Sequence, residues 1–132
     1  MAINTAGQTI TGNSVPSDSP KTKVGRIVFD ATAITATDSV VVNLGFTPKY
    51  ICWENLTDRI KNEWFEGMAA NSAVNTVANG TRTLSVTGTN GGFTVCNADG
   101  TANVYGKCFS ILQNVTLGAI LASKTVTWIA KG

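Results

Sequence analysis

The chain has 132 residues, room for one ordinary domain and too little for two. Its hydrophobic fraction of 43% suffices for a packed core, and ten Lys and Arg against eight Asp and Glu leave a net charge of only +2. The scattered basic residues make no stripe of the kind nucleic-acid binders use, and no run of about eighteen apolar residues offers a membrane span, so neither nucleic acid nor membrane is an expected partner.

Residue usage points to strands. Thr, Val and Ile together supply 41 residues, against six Leu and three Glu. β-Branched side chains fit a pleated sheet and are restricted on a helix. Thirteen Gly and twelve Asn provide the conformations that tight turns require. The expected class is all-β.

Residues 1–23 contain no aromatic side chain, and Gly7, Gly12, Pro16 and Pro20 interrupt them among Ser, Thr and Asn. This pattern predicts an extended N-terminal arm that gains order by lying across a neighbouring subunit. Its isolated Ile3, Ile10 and Val15 are the candidate interface anchors. The opening Met1-Ala2-Ile3-Asn4-Thr5 has neither the basic start nor the apolar stretch of a secretion signal, so export by that route is not expected.

A folded domain is expected over residues 24–132. Val24–Asp30 reads as a first strand and Asp38–Leu44 as a second, turned by Gly45-Phe46-Thr47-Pro48. Lys49–Leu56 makes a third, and Thr57-Asp58-Arg59 turns the chain into Ile60–Glu66. There, Ile60 and Trp64 share one face while Lys61, Glu63 and Phe65 share the other. Met68–Val74 admits a helical turn. Arg82–Thr87 and Phe93–Cys96 both alternate, and Asn90-Gly91-Gly92 between them predicts a hairpin. Asn97-Ala98-Asp99-Gly100 turns the chain before a strand over Tyr105–Leu112, and Lys124–Ala130 forms the last. Seven or eight short strands at roughly even spacing indicate a single β-sandwich or jelly-roll-like domain.

The residues offer little for catalysis. Histidine is absent, which excludes imidazole bases and imidazole metal ligands. Cys52, Cys96 and Cys108 are an odd number at wide spacings, the pattern of buried, reduced thiols rather than of a disulfide framework or zinc site. Glu54, Glu63 and Glu66 sit near Trp53 and Trp64, but Glu63 and Glu66 have opposite strand parity, and Lys49, Arg59 and Lys61 are their expected cross-strand partners. Gly88–Gly92 lacks the helix and lysine of a phosphate-binding loop. No catalytic residue, cofactor or metal is expected.

Leu44-Gly45-Phe46-Thr47-Pro48-Lys49-Tyr50-Ile51 with Asn55–Met68 resembles small virion proteins of tailed bacteriophages, and Val77–Thr83 and the ending Ala122–Ala130 fit the same family. The resemblance implies a capsid decoration, or cement, protein: a β-rich module on the exterior of the virion head, clamping neighbouring major capsid subunits. It implies two partners, the major capsid protein and further copies of the chain as a homodimer or homotrimer. The competing expectation is a tail- or fibre-associated domain that binds a host glycan through Trp53, Trp64 and Trp128. Burial of those tryptophans in the core would remove its basis.

Overall fold

The computed structural model describes residues 21–32, 39–85, 92–112 and 123–132. Ile3, Ile10 and Val15 lie outside them. Among the described residues, nine strands follow in chain order: β1 (Thr22–Val28), β2 (Ser39–Asn43), β3 (Tyr50–Asn55), β4 (Ile60–Phe65), β5 (Ala73–Thr76), β6 (Arg82–Ser85), β7 (Thr94–Cys96), β8 (Cys108–Leu112) and β9 (Thr125–Lys131). They form two antiparallel sheets, ordered β1-β9-β3-β4-β5-β6 and β2-β8-β7. The protein is an all-β sandwich. The first strand begins at Thr22, two residues inside the segment assigned to the arm from composition.

Strand parity divides the larger sheet as the alternating sequence requires. Ile51, Trp53 and Asn55 of β3 face the core beside Ile60, Asn62 and Trp64 of β4 and Val126, Trp128 and Ala130 of β9. The smaller sheet contributes Val42, Val95, Phe109 and Ile111. At the centre, Phe109 meets Trp53 edge-on at 6.3 Å and Trp128 at 5.7 Å, and Phe93 packs against Phe109 at 5.8 Å. Such edge-to-face contacts add about 0.5–1.5 kcal/mol each beyond the area they bury. All three tryptophans are core residues, so none presents an exposed ring for a sugar.

Two expected elements differ. Met68–Val74 is not helical: Phe65–Met68 is a tight turn closed by Met68 N–H donating to Phe65 C=O at 3.0 Å, and Val74 lies in β5. β6 and β7 do not pair with each other as the predicted hairpin requires: β6 pairs with β5 in the large sheet and β7 with β8 in the small one, while Asn90 and Gly91 lie outside the described residues. The chain changes sheets at Phe93, which exchanges backbone hydrogen bonds with Asn71 and Ser72 at 2.8 and 3.0 Å. This crossing needs Gly92, where any Cβ would lie 2.2 Å from the Ser72 carbonyl oxygen. The glycine therefore serves a close backbone approach rather than a two-strand turn.

Candidate binding surfaces

The residues of the larger sheet that point away from the core form the first surface. Val24 and Val28 of β1, Ile129 of β9, Phe65 of β4 and Leu84 of β6 are all exposed. Register places Val24, Ile129, Cys52, Glu63, Val74 and Leu84 in one row across six strands. A second row runs through Arg26, Thr127, Glu54, Lys61, Thr76 and Arg82. The face is thus mixed: Val24 and Ile129 are exposed at the β1 edge and Leu84 at the β6 edge, with Glu63 between them in the same row and a charged row alongside.

Glu63 organises the charged groups. Tyr50 donates its hydroxyl hydrogen to Glu63 Oε2 at 2.7 Å, with Lys61 Nζ 3.9 Å from the same oxygen and Arg82 Nη2 3.8 Å from Oε1. The Tyr50 ring packs against Phe65 at 5.1 Å, and Lys131 Nζ sits 5.9 Å above it. Burial and the bond to Glu63 raise the Tyr50 phenol well above its ordinary value. Glu54 shares this face, diagonally from Glu63, whereas Glu66 lies beyond β4. Of the basic partners expected for the glutamates, Lys61 approaches Glu63, joined by Arg82 rather than Arg59. Arg59 instead occupies the left-handed region (φ 57°) in the β3–β4 turn.

That turn accounts for the Asn55–Arg59 motif. Asn55 Oδ1 accepts from the backbone N–H of Thr57 and of Asp58, both at 3.0 Å, while its Nδ2 donates to Asp58 Oδ2 at 2.9 Å. Lys124 Nζ holds Asp58 at 3.2 Å. These residues build a turn from local side-chain bonds.

The second surface is an open cavity of about 490 Å³ between β4 and β7. Pro48, Trp64, Met68, Val95, Val104 and Tyr105 give it a mainly apolar wall, with Glu66 the one carboxylate among the described lining residues. The wall containing Val104 and Tyr105 is a turn, closed by Gly106 N–H donating to Asn103 C=O at 2.9 Å. Thr47 Oγ1 donates to the Tyr105 carbonyl at 3.1 Å and pins that turn to the β2–β3 loop. Tyr105, expected to open the strand over Tyr105–Leu112, stands instead at the turn's exposed tip, and β8 starts at Cys108. Sequence reading missed this cavity because its lining comes from four separate segments.

Cys52, Cys96 and Cys108 are free and buried. Burial raises the Cys52 and Cys96 thiols, opposing the thiolate that a nucleophile or metal ligand requires. Cys108 Sγ donates to Asn43 Oδ1 at 3.3 Å. Among the described residues, no three His, Cys, Asp or Glu side chains gather as a metal-holding group. No helix there is long and apolar enough to cross a membrane.

Compared with protein-family models, curated proteins and solved structures, the chain matches none of them.

Proposed function

We propose that the protein works by adhesion, as a structural virion component that decorates a phage capsid and stabilises it by binding across neighbouring major capsid subunits. The observation that carries the reading is the outer face of the larger sheet. Val24, Val28 and Ile129 are exposed along the β1–β9 edge of that face, with Phe65 and Leu84 exposed further across it, and exposed aliphatic side chains on one sheet face mark a contact surface. The charged groups of the same face are Arg26, Lys61, Arg82 and Lys131 against Glu54 and Glu63, four cations to two anions. Such a face suits a partner that offers both apolar and acidic groups. The sequence resemblance supplies the identity of that partner, the major capsid protein.

Repetition gives a weak contact its effect. A standard interface buries about 1,600 Å² in total, and a shell repeats that gain over many copies. The competing reading as a glycan-binding tail domain loses its main support, because Trp53, Trp64 and Trp128 are core residues. Imaging virions labelled on this protein tests the proposal. Label over the head is the expected result, and label confined to the tail would refute it.

A further inference from the structure

Two of the three cysteines face each other. Cys96 of β7 and Cys108 of β8 are antiparallel register partners, so their side chains stand side by side on one face of the smaller sheet. Cys52 belongs to the larger sheet and meets no cysteine in either of its ladders. Burial is the main cause that holds the Cys96 thiol above its ordinary value, and the Cys108 sulfur adds to it, a mark of their closeness.

The ladder fixes their spacing. Leu44 N–H donates to the Lys107 carbonyl at 2.8 Å, one step along from the Asn43–Cys108 pair, so the backbone groups of Cys108 point away from β2 and toward Cys96. On β7 the Val95 carbonyl turns away from β8 to accept the Asn103 N–H at 3.0 Å, which leaves Cys96 facing Cys108. The two are therefore a hydrogen-bonded pair with Cα atoms about 5.5 Å apart, inside the roughly 4.4–6.8 Å that a disulfide spans. Their Cβ atoms need to close by about 1 Å. A short edge strand can make that move, and β7 is three residues long and ends the smaller sheet.

The residues between them, 97–107, already fold back on their own base. Asn97 N–H donates to the Thr101 carbonyl at 2.9 Å, and a Cβ on Gly106 would lie 2.0 Å from the Cys96 carbonyl oxygen. This loop carries Val104 and Tyr105 of the cavity wall. We infer that Cys96 and Cys108 are an oxidative modification site, at which a peroxide joins them in a disulfide that staples β7 to β8 at the base of the loop. One thiolate attacks a peroxide oxygen, the O–O bond breaks, and a sulfenic acid and hydroxide form. The facing sulfur then displaces the sulfenic oxygen, the S–S bond closes, and the thiol protons leave in water. Two thiols and one hydrogen peroxide thus give one disulfide and two waters. Cys108 gives up its bond to Asn43 Oδ1, and the exposed Asn43 side chain takes water in exchange. A bulky alkylating reagent needs room on the sulfur, whereas the disulfide adds no atom to the site. Without oxidant both residues remain thiols. The inference does not depend on the capsid reading.

The test treats the reduced full-length chain with hydrogen peroxide, quenches it, unfolds it in alkylating reagent and maps its peptides. Cys96 and Cys108 are expected to be joined and Cys52 alone alkylated, with dithiothreitol restoring all three thiols. The Cys96–Cys108 link should exceed each pairing with Cys52 by at least tenfold. Three alkylated thiols after treatment, comparable pairing with Cys52, or sulfinic acid at the two positions without a link would overturn the inference. Amide exchange gives a second readout. Across residues 97–107 it should slow about fivefold or more in the oxidised chain, and an unchanged rate would overturn the staple. Cys52→Ser should leave the link intact, and its loss in that variant would also count against the assignment.

Discussion

Trp128 covers Gly25. The two are register partners between β9 and β1, and a Cβ at Gly25 would fall 2.4 Å from Trp128 Cζ2. The indole thus fills the place where a side chain of the edge strand would stand. Because Trp128 also packs on Phe109 in the core, the ring has no room to retreat. Gly25→Ala is expected to destabilise the fold by about 1–3 kcal/mol, the usual range for overpacking. Urea unfolding should show a lower midpoint with an unchanged slope.

The Tyr50–Glu63 bond sets an alkaline limit on stability. The phenol is raised in the folded state, so the native protein holds its proton more tightly than the unfolded chain does. Its contribution is complete below the unfolded value near pH 10 and declines as pH rises beyond it. The raised Cys52 and Cys96 thiols act in the same direction from about pH 9 upward. Melting temperature should fall above pH 10, and Tyr50→Phe should flatten that decline. At neutral pH the same change should cost about 1 kcal/mol for the lost hydrogen bond.

Asn62 and Asn75 place a polar pair on the core face of the larger sheet. Asn75 Nδ2 donates to Asn62 Oδ1 at 2.7 Å, and both residues are buried. Asn75→Ala would strand that oxygen, at a cost of about 1–3 kcal/mol. Thermal unfolding of the single variants and of the Asn62→Leu/Asn75→Leu double variant checks this, since removing both partners should cost less than the two single changes added together.

The three thiols should be silent in the native state. Intact mass after alkylation should show no adduct on the folded protein and three after unfolding, given that Cys52, Cys96 and Cys108 are free and buried. A species two protons lighter would contradict this.

Much of the sandwich was legible in the sequence, for local reasons. Alternation of Ile60, Asn62 and Trp64 against Lys61, Glu63 and Phe65 fixed the faces of β4, and the Asn97–Gly100 turn closes as expected with Gly100 N–H on Asn97 C=O at 2.9 Å. Pairing was legible only where neighbours in sequence are neighbours in space, as in β3 with β4. The assignment of β6 and β7 to different sheets depends on Phe93 docking against Ser72, a contact between residues 21 positions apart that no local pattern encodes. The surfaces were less legible still. The exposed pair Val24 and Ile129 appears only once register aligns β1 with β9, and the cavity only once Pro48, Met68 and Tyr105 converge.

Binding of the protein to phage heads that lack it tests the central claim most directly. Affinity should be measured for the unaltered chain, for Val24→Asp/Ile129→Asp, and for Glu54→Gln and Glu66→Gln. Loss of two neighbouring apolar contacts on the β1–β9 side of the face should weaken binding at least thirtyfold, the equivalent of about 2 kcal/mol. The glutamate changes should stay within a few-fold, because exposed charges contribute about 1 kcal/mol or less. Undiminished binding by the double aspartate variant would contradict the account, as would a hydrolytic activity abolished by either glutamate change.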